Sequence, residues 1–213
     1  MIPPVPQILD ELELDAFGEL VNIGVSKSAA SLREMIGEQV HLSVPTLSLV
    51  SRHQAIEMLN QEGHGNLIAV HQVFEGDITG RALLIFPEAR SLELVRAVAS
   101  SDLSLDDLID LEPEALAEVG NVILNGCLAT IANMLNRTLK ISLPEIVRGN
   151  GNTLFNLPPP PDAGDVVLFI YINFVVQRRD VRGYIAMLMD VPGVVALKIL
   201  LRELIQRMAG KHR

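Results

Sequence analysis

Residues 19–45 of the chain read "ELVNIGVSKSAASLREMIGEQVHLSVP", and residues 118–144 read "EVGNVILNGCLATIANMLNRTLKISLP". The two stretches overlay without a gap at an offset of 99 residues, so that glutamate, asparagine, methionine and proline recur at the same places. Apolar positions also coincide, as in the pairs Leu32 and Ile131, Val40 and Leu139, Leu42 and Ile141, and Val44 and Leu143. The sequence therefore predicts an internal duplication of one unit, since two copies are too few for a solenoid array.

Each copy combines two hydrophobic periods. Apolar positions at steps of three and four predict long helices over about 10–36 and about 112–136. Alternating residues then predict strands at 39–44 and 138–143, each ended or placed at an edge by the proline that follows.

The rest of each unit is predicted to form a hairpin and a further helix. "DITG" at 77–80 matches "DVRG" at 180–183, four residues beyond the first offset, and the proline run at 158–161 is a plausible insertion point. The predicted strands are 66–74, 78–86, 165–176 and 181–189, and the predicted helices are one from about 87 and one over about 191–209.

This order of elements predicts an α+β fold with a central, largely antiparallel sheet and two long helices that carry the repeated motif. A pseudo-two-fold axis should relate the two units. Because no Gly/Ser-rich linker separates the units, we expect residues 1–213 to form a single domain built from two repeats, about 10–100 and about 110–209.

Composition narrows the function classes. The net charge of −9 argues against nucleic-acid binding, which needs a basic face to replace counterions. The apolar tract at 166–176 is too short for a membrane helix, and the N-terminus lacks the pattern of a signal peptide. The single cysteine, Cys127, suits a reducing compartment. We therefore expect a cytoplasmic protein that neither binds nucleic acid nor inserts into a membrane.

Both long helices carry polar residues along one face, at steps of four, three and four residues. These residues are Asp15, Glu19, Asn22 and Ser26 on the first helix and Glu114, Glu118, Asn121 and Asn125 on the second. A single stripe of this kind is usually just a solvated surface. Asparagine within a helix is unfavourable by an order of a few tenths of a kcal/mol, however, and it occurs here twice beside glutamate. The paired stripes therefore predict a functional face.

The spacing resembles the signature of the CheC/CheX/FliY family of chemotaxis phosphatases: Asp or Ser, three residues, Glu, two residues, Asn, twenty-two residues, Pro. The first copy matches it in full through Asp15, Glu19, Asn22 and Pro45. The second copy matches through Glu118, Asn121 and Pro144, with Glu114 where Asp or Ser is expected. The presence of two copies is similar to CheC, which has two such sites.

The resemblance implies hydrolysis of the aspartyl phosphate on a CheY-like response regulator. Asn22 and Asn121 would orient the attacking water, because a carboxamide both donates and accepts hydrogen bonds. Glu19 and Glu118 would pair with the regulator's active-site lysine. The regulator would also supply Mg²⁺, so the protein is expected to need no cofactor and no metal of its own.

Four further residues are given supporting roles by the same resemblance. Asp15 and Glu114 would support the two sites, and Pro45 and Pro144 would end the strand beside each helix. Asn125 is expected to be only a polar residue at the rim of the site, with no role of its own.

Other readings of the sequence remain open. The protein could be a regulatory binding module, with CheD or a phosphorylated regulator as its partner, or a flagellar switch component. The chain's histidines, His41, His53, His64, His71 and His212, show no zinc-site spacing. Cys127 aligns with Ser28, where a small buried side chain is expected rather than a catalytic thiol.

Overall fold

The computed structural model describes residues 8–37, 39–61, 65–98, 104–157, 166–176 and 179–210. Six helices lie within these ranges: α1 (Glu11–Ile36), α2 (Arg52–Gln61), α3 (Glu88–Val98), α4 (Leu105–Met134), α5 (Gly151–Phe155) and α6 (Val191–Gly210). The strands within the same ranges are β1 (Val40–Ser51), β2 (Leu67–Gly76), β3 (Gly80–Pro87), β4 (Leu139–Ile141), β5 (Glu145–Gly149), β6 (Val166–Val176) and β7 (Arg179–Met189).

The strands form one antiparallel sheet in the order β1-β6-β7-β3-β2-β4, and β5 also pairs with β2. The predicted α+β class with an antiparallel sheet is therefore confirmed. The strand order reads the same from both ends when β1 is exchanged for β4, β6 for β2 and β7 for β3. That arrangement is compatible with the duplication that the sequence predicts.

Helices cover both faces of the sheet. On one face, α1, α3, α4 and α6 bury the larger apolar core, which includes Phe17, Phe74 and Phe174. On the other face, α2 and α5 cover a smaller core that includes Leu59 and Phe155. Successive residues of a strand point to opposite faces, so the nearly continuous apolar strands supply both cores.

Capping boxes set the beginnings of the two long helices. Asp10 and Glu13 exchange side chain-to-backbone hydrogen bonds at the start of α1, and Ser104 and Asp107 do so at the start of α4. Sequence periodicity predicts α1 closely. The predicted start of the second helix near 112 is wrong, because the capping box begins α4 at Leu105 and the helix continues through Pro113.

The first strand also differs from its prediction. β1 does not end at Pro45 but runs to Ser51, with its register against β6 shifting between Ser43 and Thr46. A bulge at this point lets the proline lie within the strand without donating a ladder hydrogen bond. In the second unit β4 ends at Ile141, and Pro144 lies in the connection to β5. The expectation that the proline ends the strand is thus wrong for Pro45.

The remaining predicted elements lie within two residues of their observed bounds, whereas α2, α5 and β5 are not anticipated by the sequence pattern. The proline run at 158–161 lies outside the described residues.

Candidate functional site

The two motif helices, α1 and α4, lie side by side and antiparallel. Gly24 faces the backbone of Cys127, and a Cβ at Gly24 would lie 2.8 Å from the Cys127 Cα, which only glycine avoids. The buried Ser28 hydroxyl donates to the Gly24 carbonyl at 3.0 Å and lies 3.3 Å from the carbonyl of Ile123 on α4. This contact fixes one motif helix against the other.

The N-terminal half of each motif helix is tied down by a buried glutamate. Glu13 and Glu112 also stand 99 residues apart, and each is almost fully buried. Glu13 accepts from Arg202 Nε of α6 at 2.6 Å, and Glu112 accepts from Arg148 of β5 at 2.5 Å and from the Ser91 hydroxyl of α3. The sequence analysis did not identify either glutamate, although their spacing matches the duplication.

On α1 the predicted polar stripe is open to solvent. Asp15, Glu19, Asn22 and Ser26 are all exposed. A shallow groove of about 410 Å³ runs along the helix and is lined by Glu19, Asn22, Ile23, Ser26, Lys27 and Ala30. The structure therefore places Glu19 and Asn22 in one groove and adds Lys27, a cation that the sequence analysis did not identify. Asp15 lies outside the groove, on the turn that precedes Glu19.

On α4 the equivalent stripe is only partly open. Glu114 and Glu118 are exposed, whereas Asn121 and Asn125 are half-buried. The Asn121 Oδ1 accepts a hydrogen bond from Asn125 Nδ2 at 2.7 Å and another from Gln72 Nε2 at 3.2 Å. Asn125 is thus more than polar rim, because it holds the carboxamide of the predicted catalytic asparagine.

Gln72 belongs to β2 and is fully buried between Val70 and Phe74 on the face that α4 covers. Its Nε2 also donates to the Ser142 carbonyl at 3.0 Å, in the connection that leads to Pro144. Its Oε1 has no hydrogen-bond partner among the described residues. A buried, unpaired carbonyl of this kind is unfavourable by about 1–3 kcal/mol. A glutamine in this apolar strand therefore lowers stability while it holds Asn121.

The close packing of α4 against β2 depends on Gly120. A Cβ at Gly120 would lie 2.5 Å from side-chain atoms of Val70, so only glycine permits this approach. The residue 99 positions earlier is Val21, a fully buried residue of α1. Gly120 is one of the differences between the two stripes, because the close approach that it permits brings Asn121 within reach of Gln72.

Comparison with known proteins identifies the relatives of the chain. No family model matches it. It is 26% identical over 144 residues to the CheY-P phosphatase CheC of Bacillus subtilis, covering 65% of this chain and 67% of that protein. It is 21% identical over 196 residues to CheC1 of Halobacterium salinarum, covering 89% and 96% of the two chains. The crystal structure of Thermotoga maritima FliY superposes with a TM-score of 0.71 at 17% identity, covering 92% of this chain and 99% of that one.

These relatives and the FliY structure show a resemblance of the chain to the CheC/CheX/FliY family. This confirms the resemblance predicted from the double motif, and it places the protein among relatives of chemotaxis CheY-P phosphatases. The structural likeness to FliY confirms the fold.

Among the described residues, neither Cys127 nor a histidine belongs to a second candidate site. Cys127 is buried between α1 and α4, and this burial raises the pKa of its thiol to about 12, against a smaller opposing effect of the hydrogen bond from Ser28. Burial, and then the charge of Arg81, lowers the pKa of His71. Among the described residues no three His, Cys, Asp or Glu side chains converge on a common metal position. His64 and His212 lie outside those residues.

By length and composition alone, α4 is apolar enough to cross a membrane. In this fold, however, 56% of its apolar window is buried inside the protein, against α1 and the sheet. Its apolar residues are therefore those expected of a core helix.

Proposed function

We propose that the protein hydrolyses the aspartyl phosphate of a CheY-like response regulator and so terminates a chemotaxis signal. The observation that carries the proposal is the pair of Glu-x-x-Asn motifs, displayed on two helices that are packed rigidly together. Relatives that bear the name CheY-P phosphatase support the reaction class. With this function the protein would act in the cytoplasm, together with its regulator.

The reaction requires the protein to do little more than position the attacking water. A water oxygen bonds to phosphorus as the bond from phosphorus to the aspartate oxygen breaks. The products are inorganic phosphate and a free carboxylate on the regulator, and the proton of the water passes to phosphate or to solvent. Most of the catalysis of phosphoryl transfer comes from positioning and electrostatic stabilisation. Asn22 and Asn121 would hold the water in line with the breaking bond.

The glutamates would set the docking register. Glu19 and Glu118 each lie about one helical turn from their asparagine on the same face, so a lysine of the regulator that pairs with the carboxylate brings its phosphoryl group to the carboxamide. Asp15 and Glu114 lie one further turn away and would extend the acidic edge. Pro45 and Pro144 would act only on the backbone. The regulator would supply Mg²⁺ to neutralise phosphoryl charge.

Lys27 gives the first site a second charge. Its ammonium group lines the same groove as Asn22, in which it can attract an anionic group on the docking partner. Charges placed at the rim of a docking surface act mainly on the association rate.

Phosphate release from a phosphorylated CheY-like regulator tests the proposal, with wild type compared with Asn22→Ala, Asn121→Ala and the double variant. Each single change should slow release, and the double change should abolish it. Asn133→Ala is the matched control, since Asn133 is exposed on α4 but lies outside the motif. If the double variant released phosphate as fast as wild type, the proposed mechanism would be wrong.

A further inference from the structure

The hydrogen bonds around Asn121 have a fixed direction, because they begin at a backbone carbonyl. The Ser142 carbonyl can only accept, so the atom of Gln72 that faces it at 3.0 Å must be the amide nitrogen. The same nitrogen lies 3.2 Å from Asn121, which must therefore turn its oxygen toward Gln72. Asn125 Nδ2 donates to that oxygen as well, at 2.7 Å.

This arrangement uses both acceptor positions of the Asn121 carbonyl oxygen. What remains for a ligand is the Asn121 NH₂ group, which can only donate. A carboxamide oxygen that accepts a hydrogen bond from the attacking water leaves both lone pairs of the water free and makes its oxygen more nucleophilic. An asparagine that can only donate occupies one of the two lone pairs and makes the oxygen less nucleophilic, so it positions the water less productively.

The first site lacks the residues that donate to the asparagine oxygen in the second site. Gln72 pairs with Ala82 and Ile170 pairs with Ile185, and the two partners stand 103 residues apart, the offset of the hairpin repeat. The counterpart of Gln72 under α1 is therefore an isoleucine, Ile170 by this hairpin register or Ile172 by the pairing of β1 with β6. Either one is a buried aliphatic residue with nothing to donate. Asn22 is exposed in its groove, and no hydrogen bond of its side chain occurs within the described residues.

We propose that Gln72 is a positioning residue that holds Asn121 in a donor-only orientation, so that the two sites are unequal. The Asn22 site carries most of the hydrolysis, and the Asn121 site docks the regulator but turns it over slowly. This inference rests on the proposed phosphatase function. Gln72 acts through Asn121 and does not itself contact the substrate.

The test removes the hydrogen bond from Gln72 to Asn121 in a protein whose first site is disabled. Phosphate release is measured from a CheY-like regulator phosphorylated with acetyl phosphate, for Asn22→Ala and for Asn22→Ala combined with Gln72→Ile. Isoleucine is the residue that the other half of the sheet uses at this position, and the exposed Ser142 carbonyl can then bind water. The expected result is a rise in kcat of roughly fivefold, equivalent to about 1 kcal/mol of activation free energy, with KM unchanged.

A second variant guards against misfolding of Gln72→Ile. Asn125→Ser removes the other donor to Asn121 and installs the residue found at the equivalent position of α1, Ser26. In the Asn22→Ala background it should also raise kcat. A purely structural role for Gln72 or Asn125 would instead lower kcat and stability together, which thermal unfolding of the same samples would detect.

Single-site variants distinguish the two proposals. If Asn22→Ala and Asn121→Ala lose equal activity, or if Gln72→Ile slows the Asn22→Ala variant, the inequality of the sites is refuted while the phosphatase function stands. If the Asn22→Ala/Asn121→Ala protein keeps the wild-type rate, the phosphatase function itself is refuted.

Discussion

Replacing Gly120 by alanine tests how closely α4 sits on the sheet. The added Cβ would lie 2.5 Å from three side-chain atoms of Val70, whereas ordinary contact begins at 3.4 Å, so helix or strand must move by almost 1 Å. Overpacking of this kind destabilises a protein by about 1–3 kcal/mol. Alanine also favours a helix over glycine by about 1 kcal/mol, which masks part of the loss.

Gly18→Ala separates the two effects. Gly18 lies within α1, and a Cβ there would meet nothing within 4 Å, so this variant gains the helix propensity without a clash. The difference between the variants is therefore the packing term alone, about 1–3 kcal/mol. For a domain of this size it corresponds to a midpoint of thermal unfolding lower by roughly 2–12 °C in Gly120→Ala than in Gly18→Ala.

Circular dichroism melts of the two variants and the wild type measure this difference. Adding Val70→Ala should recover part of the loss, since it removes two of the three atoms in conflict but keeps the Val70 Cβ. If Gly120→Ala melted at or above the temperature of Gly18→Ala, the close seat of α4 on β2, and with it the reason that Asn121 meets Gln72, would be wrong.

Three further predictions follow from other contacts. The Cys127 thiol should resist alkylation until the protein unfolds. The free energy of unfolding should fall by about 1.4 kcal/mol per pH unit from pH 9 to about 12, because in that range only the unfolded thiol loses its proton. Urea titrations measure this fall, and the same fall in a Cys127→Ser protein would contradict the prediction. Lys27→Ala should slow association with the phosphorylated regulator by about threefold at low salt and not at high salt, whereas Lys27→Arg should keep the wild-type rate. Stopped-flow fluorescence measures the association rates of both variants. An effect that does not depend on salt would rule out electrostatic steering by Lys27. Glu112→Gln should lower the free energy of unfolding by about 1–3 kcal/mol, since it weakens the buried contact with Arg148. An unchanged midpoint of denaturant unfolding would show that the Glu112–Arg148 pair contributes nothing to stability.

The sequence predicts those parts of the fold that depend on a repeating period. The helical spacing of apolar residues locates α1, and the 99-residue offset transfers that assignment to α4 and pairs Glu19 with Glu118. The same logic fails at Pro45, because whether a proline ends a strand depends on whether a bulge can absorb it. Pairing with a neighbouring strand decides that, and the local pattern does not contain it.

The candidate site shows a similar division. The polar stripe, with Asn22 and Asn121, follows from spacing along single helices. Gln72 cannot be found that way, because a lone glutamine in an apolar strand acquires meaning only when a helix is placed above it. Gly120 likewise looks like a weak helix residue until Val70 is seen beneath it. These are contacts between segments roughly fifty residues apart, and they make two similar motifs chemically different.

The order of the strands bears on how the two halves depend on each other. Within the part of the chain that the structure describes, β1 pairs only with β6, and β4 and β5 pair only with β2. The first strands of each half therefore hydrogen-bond to the hairpin of the other half. A fragment that stops near residue 98, or one that starts near 104, would expose a whole strand edge whose backbone hydrogen-bonding groups have lost their partners. We therefore expect each half to aggregate when it is expressed alone, and the two halves to recover the native sheet when they are mixed.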